Sequence, residues 1–407
     1  MTQDVIVVGG GIGGLGAALA LGRSQVRVRL LEQASAFGEV GAGLQLGPNA
    51  VRVLAEWGLS DALVRCAAFP DALMVRDAHA GSVLGRLRLG QAMQERYGQP
   101  YATLHRADLH ALLLQAVQEL APVTLQLGAR MAGYAERADG IEVTLEDETA
   151  LNAPALIGCD GLWSRVRSQM VGAQAVRASG HLAYRGMVRS ADLPLALRAP
   201  VVTAWLGPKL HVVHYPVRRG EWFNVVAVVH GVLGQGHGGA VGADPSSWSH
   251  QAQAADLLCA LGPAYSELLA MIDAVPAWTL WALNDRLPVR GPAEHAQGRV
   301  ALLGDAAHPL RPYLAQGAAM ALEDAWTLGR LVARQGVPSA DTWPGLFDRL
   351  AQARWQRNAR VQQRSARNGS IFHASGVVRL GRNAAMATLG EALLDNPWLY
   401  AGPPDPA

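Results

Sequence analysis

Residues 4–22 read DVIVVGGGIGGLGAALALG, and their order decides the fold. Asp4 to Val8 is a short β-branched run of the kind that forms a buried strand. A glycine cluster follows, then an Ala/Leu stretch whose small residues suit a closely packed helix. Val26 to Leu31 reads as a second strand, ending at Glu32. Strand, glycine turn, helix and strand within about 30 residues make a βαβ unit, and with it a parallel sheet. Gly9, Gly11 and Gly14 supply G-x-G-x-x-G at the strand-to-helix turn. Gly9 permits the tight turn, Gly11 lets the backbone approach a pyrophosphate, and Gly14 lets the helix sit close to the sheet. Phosphates placed there meet unpaired N–H groups and the positive end of the helix dipole. Glu32 lies 18 residues past Gly14, where a carboxylate can accept hydrogen bonds from ribose hydroxyls. An acid at that point disfavours a 2′-phosphate and leaves NAD or the ADP half of FAD.

The rest of the composition bounds what surrounds this unit. The chain has 407 residues, enough for two or three domains and a sizeable core without disulfides or metal. Half of it is apolar and 17% is charged, which excludes wholesale disorder. Eleven of its 45 glycines fall in the first 47 residues. A net charge of +2 argues against a nucleic-acid or anionic-membrane partner. Lys209 is the sole lysine, so the basic complement is almost wholly Arg and reads as a compositional bias. Cys66, Cys159 and Cys259 stand far apart with no metal-binding spacing. No apolar run approaches the roughly 18 residues of a membrane helix, and no basic, apolar leader opens the chain. A cytoplasmic enzyme is the expectation.

Working outward, Arg106–Leu120 is amphipathic and reads as a helix, and short strand signals follow over 123–157. Residues 180–230 carry dense strand signals that point to a separate sheet. Arg299–Leu303 returns to a buried parallel-strand pattern, and 313–334 and 344–373 are helical by period. Arg349, Arg354, Arg357, Arg360, Arg364 and Arg367 read as a solvated face of that last helix, and the GPPDPA tail as frayed.

Two later motifs choose between the nucleotides. Cys159-Asp160-Gly161-Leu-Trp-Ser164-Arg165-Val-Arg167 follows a strand, and Gly304-Asp305-Ala-Ala-His308-Pro-Leu-Arg-Pro312-Tyr-Leu-Ala-Gln316-Gly317-Ala318 stands near three-quarters of the chain. Taken singly, Asp160-Gly161 reads as a turn and Gly304-Asp305 as a helix cap; His308 reads as structural, and Arg165 and Arg167 as surface or packing residues. With the N-terminal fingerprint, in this order and spacing, the chain resembles the single-component flavoprotein aromatic hydroxylases over essentially its whole length. The resemblance implies an α/β fold: a Rossmann-like FAD domain of the glutathione-reductase type, with an inserted mixed β-sheet substrate domain and C-terminal helices. It puts the FAD-binding domain at 1–70, 101–175 and 285–340, the substrate domain at 71–100 and 176–284, and a helical region at 341–407. It further implies FAD as cofactor, with Glu32 at the adenosine ribose and Arg106 near the diphosphate. Asp160 and Gly161 match the motif tied to FAD and the nicotinamide donor, Gly304 and Asp305 the ribityl side, and Gln316, Gly317 and Ala318 the flavin ring. A helix start there suits the negative charge that reduced flavin carries on its N1–C2=O edge. No second G-x-G-x-x-G follows residue 14, so NADH or NADPH docks transiently rather than in its own domain.

The family reaction passes one oxygen atom of O2 through a flavin C4a-hydroperoxide to an aromatic ring, and it needs a base for the phenolic proton. Histidine suits that task. In Leu210–Pro216 (LHVVHYP), His211, Val213 and Tyr215 share one strand face, while His214 points the other way and outward. A His and a Tyr four apart resemble the 3-hydroxybenzoate 6-hydroxylase and 6-hydroxynicotinate 3-monooxygenase branches. On that footing His211 is assigned as base, with Tyr215 acting beside it as orienting or relay group. The segment Glu39–Asn49 resembles a flavin-facing loop of the first branch, and Asp77 stands where that branch carries an acid near the substrate. Pro312, preceded by Arg311, departs from the Gln frequent in 3-hydroxybenzoate 6-hydroxylases and looks more like the hydroxynicotinate branch. The expected activity is hydroxylation of a phenolic or hydroxy-heteroaryl carboxylate, most simply 3-hydroxybenzoate. Salicylate and 6-hydroxynicotinate hydroxylation, a same-fold enzyme acting on a larger aromatic, a flavin oxidase and a non-catalytic flavin-binding regulator remain as alternatives. The expected partners are the small aromatic substrate and O2, with no nucleic acid and no membrane; a homodimer is compatible with the chain.

Overall fold

The computed structural model describes residues 4–38, 43–172, 174–233, 244 and 250–406. Val5–Val8 is the centre of a six-stranded sheet, flanked by Leu156–Gly158 on one side and Val28–Leu31 on the other. Val300–Leu302 and Val123–Gln126 extend it, all parallel, and Ala296–Gln297 closes one edge antiparallel. Parallel strands covered on both faces must be apolar throughout, and Val5–Val8 is buried at all four positions. The fingerprint helix, Ile12–Arg23, packs on this sheet and against Gly317–Gln335.

A second, eight-stranded sheet carries the other half of the molecule. Its order is His250–Ala252, Trp278–Asp285, Arg177–Arg189, Trp222–His230, Leu210–Val217, Val201–Gly207, Ala72–Asp77 and Val83–Arg88. It is mixed, because Val201–Gly207 runs parallel to Ala72–Asp77. One face packs under the helices Ala254–Leu261 and Ser266–Asp273 around Trp205, Leu257 and Met271. The opposite face looks toward the nucleotide sheet.

The long helix Trp343–Phe372 ties the two halves together, and it corrects the reading of its arginines. Arg354 is 1% exposed and bonds Glu323 and Asp324, and Arg357 also bonds Glu323. Arg349, Arg360 and Arg367 are exposed, with Arg360 over the Trp398 ring at 3.9 Å. The C-terminal tail is likewise docked rather than frayed, since Asp405 pairs with Arg330 and Arg334. Among the described residues no helix is long and apolar enough to cross a membrane.

Candidate active site

The fingerprint glycines can be tested by what a Cβ would meet. Gly9 has φ +102° and an added Cβ would lie 2.4 Å from the Cys159 carbonyl oxygen, so no L side chain fits the turn. At Gly14 a Cβ would lie 1.8 Å from the Gly9 carbonyl oxygen. At Gly11 it would meet nothing within 4 Å. Two positions are closed by the chain itself, and the third opens onto a cavity of about 340 Å³. Glu32 stands beside the turn: its carboxylate accepts from the Gly10 N–H at 2.7 Å and the Ala34 N–H at 2.8 Å.

The cavity runs between the two sheets. Gly11 and Gly13, Gly304 and Asp305, and Arg106 at the start of Arg106–Gln118 form its nucleotide side. Gln316, Gly317 and Ala318 line it at the start of the 19-residue helix Gly317–Gln335. Three helix N-termini therefore open on one cavity, the third being that of Ile12–Arg23, each with N–H groups that lack intrahelical partners and with positive dipole ends. Gly43, Leu44 and Gln45 close another side. A Cβ at Gly43 would collide with Asn224 and Tyr215, so that strand lies hard against the second sheet. Glu39 to Gly41, with Ala42, lie outside the described residues, so the proposed flavin-facing loop is seen only from Gly43 onward. These residues fit an FAD: a glycine bed without side chains for the diphosphate, an acid beside it, and a helix start where the ring would lie.

Asp160 is placed differently from its neighbour. Its carboxylate accepts from the Arg165 N–H at 2.8 Å, the Val166 N–H at 3.2 Å and the Ser164 hydroxyl, and so caps the helix Arg165–Val171. Gly161, not Asp160, lines the cavity. Arg167 is 1% exposed and bonds Glu294 and the Ala307 carbonyl, fastening that helix to the Gly304–His308 turn. His308 is structural too: its Nε2 lies 2.5 Å from the Asp324 carboxylate.

The eight-stranded sheet supplies the remaining wall. His211, Val213 and Tyr215 all face the cavity, joined across the register by Val228 and Val226 and, one strand further, by Arg185. Four residues along a strand span roughly 13 Å. That distance separates His211 from Tyr215 at the backbone, so they hold opposite ends of the wall and do not share one proton. The hydrogen-bond partner of His211 is instead His373, at 2.7 Å. His214 occupies the opposite face as alternation requires, but that face is covered, and His214 is 3% exposed beside Trp205 and Phe223. Asp77 is not in the wall: it holds the His79 and Ala80 N–H groups and Arg379, clamping the helix Gly376–Leu389. Its carboxyl is pulled down to about 2, because those hydrogen bonds and the arginine overcome a burial effect that would raise it.

Two residues of the site were not visible in the sequence pattern, one in the wall and one behind it. Arg185 is 9% exposed, its guanidinium stacks over Trp281 at 4.0 Å, and its Nε has no hydrogen-bond partner. Among the described residues it makes no ion pair with a carboxylate. Burial lowers its pKa to about 10, so it keeps its charge at neutral pH. The second is His373, which caps the long helix far along the chain and meets His211 only in three dimensions. The best available signal for Arg185 was the alternation of Arg177–Arg189 itself, which puts it in register with Val226.

Burial pulls His211, His214 and His295 down to about 3 and His373 to about 2. Each is thus neutral in the fold but takes a proton at about pH 6.5 when unfolded. The unfolded state binds more protons below that value, so stability falls with falling pH. The melting temperature should decline steadily as pH drops from about 7 to about 4.5. A flat profile over that interval would show these imidazoles to be solvated.

Comparison with known proteins gives the family. The family model described as FAD binding domain matches residues 2–365. A 3-hydroxybenzoate 6-hydroxylase of Polaromonas naphthalenivorans (strain CJ2) is 39% identical over 379 residues, covering 93% of this chain and 90% of that protein. A 6-hydroxynicotinate 3-monooxygenase of Bordetella bronchiseptica (strain ATCC BAA-588 / NCTC 13252 / RB50) is 32% identical, covering 89% of this chain and 91% of its own. The solved structure of a salicylate hydroxylase substrate complex superposes with a TM-score of 0.78 at 27% identity, covering 98% and 97% of the two chains.

Proposed function

Since the chain belongs to the FAD binding domain family and is an FAD-dependent aromatic hydroxylase, we propose that its substrate is a small phenolic or hydroxy-heteroaryl carboxylate, 3-hydroxybenzoate first. The observation that carries this reading is the pairing, on one cavity wall, of an imidazole with a buried arginine that has no carboxylate of its own. A ring bearing one hydroxyl and one carboxylate is complementary to that pair.

Bound FAD, reduced by NADH or NADPH, would supply the electrons and the activation of O2. The chain's own residues do the rest. Gly11 and Arg106, with Gly161 beside them, would hold the nucleotide side of an FAD, on a turn that Gly9 and Gly14 shape and beside Glu32, while Asp160 fixes the helix behind. Gly304, Asp305, Gln316, Gly317 and Ala318, which line the cavity, would hold the flavin side. Arg185 pairs with the substrate carboxylate, held in place by Trp281. His211 accepts the hydroxyl proton, which makes the ring electron-rich where oxygen is to be added. Burial pushes the Tyr215 hydroxyl well above its ordinary value, so it stays protonated and acts as a hydrogen-bond donor orienting the ring. Val213, Val226 and Val228 keep the wall between them dry. In this division of labour 1–70, 101–175 and 285–340 bind FAD, and 71–100 with 176–284 bind the substrate. An enzyme that consumes NAD(P)H acts where that donor is abundant, in the cytoplasm.

Arg311 and Pro312 also line the cavity, and on that ground 6-hydroxynicotinate is the second candidate. The test is a screen of hydroxybenzoates, salicylate and hydroxynicotinates for stimulated NADH and NADPH oxidation with product analysis. Peroxide without hydroxylated product rejects a compound. Protein that is colourless and cannot be reconstituted with FAD rejects the reading altogether. A further expectation concerns Arg185→Gln. A hydrogen bond to a charged group contributes about 1.5–3 kcal/mol, so KM for the carboxylate should rise by about 10–100-fold. FAD content should not change. An unaltered KM would move the carboxylate elsewhere.

A further inference from the structure

His211, His373 and His230 form an unbroken hydrogen-bonded line from the cavity to solvent. His211 Nδ1 lies 2.7 Å from His373 Nε2, and His373 Nδ1 lies 3.1 Å from His230 Nε2. Each contact uses a different nitrogen of the middle ring. That is the arrangement in which an imidazole can take a proton on one side and release another on the far side. Exposure changes along the line in the same direction: His211 is 4% exposed, His373 is 6%, and His230 is exposed. Three separate elements bring these rings together. His211 comes from Leu210–Val217, His230 ends Trp222–His230, and His373 follows the long helix, its carbonyl accepting from the Lys209 N–H at 3.0 Å.

A metal centre is the competing reading, because His181, His230 and His373 each offer a ligand atom within 4.8 Å of the others. The surrounding charges oppose it. Lys209 acts on His230, Arg382 from the helix Gly376–Leu389 acts on His373, and Arg311 acts on His181. Asp285, which reaches this group through Arg311, is already tied to Arg311 and Arg177. His181 Nδ1 is held by the Tyr313 hydroxyl. A dication would enter a positive environment in which no carboxylate among the described residues joins the three rings as a ligand, whereas neutral imidazoles suit it.

We propose that His211, His373 and His230 form a proton relay that carries the substrate's hydroxyl proton between the closed cavity and water. It rests on His211 being the base that touches substrate; His373 and His230 act through it. The aryl O–H bond breaks as His211 Nε2 takes the proton. His211 passes its Nδ1 proton to His373 Nε2, His373 passes its own Nδ1 proton to His230 Nε2, and His230 releases one to water. One proton leaves the substrate, one enters solvent, no electron moves, and each ring ends neutral with its tautomer inverted. The reverse passage, returning a proton to the hydroxylated product's phenolate, restores the starting tautomers. Burial supports the need for such a line, since rings held at about 3 and about 2 cannot store a proton at neutral pH and must hand it on.

The test uses the FAD-loaded protein with 3-hydroxybenzoate and the variants His373→Gln and His230→Gln, which keep a polar group but cannot shuttle. At neutral pH, H373Q should slow hydroxylation by about 10-fold or more, with unchanged FAD content and unchanged flavin reduction by NADH. The pH profile should shift to higher pH, and added imidazole should restore the rate. H230Q, at the exposed end, should show the same pattern more weakly and serves if H373Q does not fold. Hydroxylation within about twofold of wild type in both variants, with an unmoved pH profile, overturns the relay. So does one zinc ion per purified chain that survives dialysis. Should the wild type hydroxylate no phenolic carboxylate, the substrate reading fails separately. The relay is then decided by the imidazole 15N signals of the FAD-loaded protein: neutral rings protonated in one sense along the line support it, and opposed tautomers or a charged ring overturn it.

Discussion

Replacing His211 by Ala should slow hydroxylation by about 10²–10⁴-fold, the usual contribution of a positioned general base. FAD binding should survive, because His211 stands on the sheet wall while the nucleotide contacts lie across the cavity at Gly11, Gly304 and Gln316. The measurement is product formed per NADH consumed in a single turnover, alongside the rate of flavin reduction. Loss of product with reduction intact, and peroxide in its place, places the defect at the substrate. Product formation at the wild-type rate removes His211 from the mechanism. The pH dependence makes the same assignment from another side. Burial pulls the wild-type imidazole down to about 3, so it is neutral, and able to accept, at neutral pH. Its protonation therefore adds no acid limb to the rate near pH 6.5, where a solvated histidine would titrate. An inflection there that vanishes in the Ala variant would mean that water reaches the ring.

The nucleotide half was legible in the sequence because its signals are local. Gly9, Gly11 and Gly14 sit within six residues, and the geometry that demands them is confined to one turn. His211 and Tyr215 were legible for a similar reason, since alternation along one strand fixes a common face. Alternation does not say what covers the other face, and His214 was misread as outward for that reason: two helices from later in the chain lie over it. Nor does it give distance, so a shared face suggested a direct proton exchange between His and Tyr that a backbone span of roughly 13 Å opposes, leaving Tyr215 the orienting part of that reading. What the sequence could not show are contacts of long range. His211 meets His373 at a separation of 162 residues, and Arg354 meets Asp324 inside what a helical wheel presents as a charged stripe. A buried arginine and a solvated one look identical until the facing helix is known. Asp77 belongs with these, because its arginine partner is 302 residues away.

Asp324→Ala should be the most destabilising single change in the molecule outside the apolar core. Asp324 is 1% exposed on Gly317–Gln335 and accepts four hydrogen bonds. They come from the Gly304 N–H at 3.0 Å, His308 Nε2 at 2.5 Å, Arg354 Nε at 2.8 Å and Asn358 Nδ2 at 3.1 Å. Burial by itself would push the carboxyl up. The His308 imidazole and the Arg354 guanidinium overcome that effect and hold it well below the usual carboxylate range. Taking the carboxylate away leaves Arg354 short of a counter-charge in a dry interior, with Glu323 as its one remaining acidic partner. Removing one member of a buried pair costs about 3–5 kcal/mol, mostly from the charge left behind. The loss should reach the cofactor as well, because the Gly304 turn lines the cavity and hangs on this carboxylate. Urea unfolding of the FAD-free protein isolates the packing effect, and FAD titration of the same variant measures the turn. Asp324→Asn, which keeps the shape and one acceptor, should fall between the Ala variant and wild type in both. A loss below about 1 kcal/mol for the Ala variant would mean that water or Glu323 replaces the carboxylate, and that the Gly304 turn holds its shape without it.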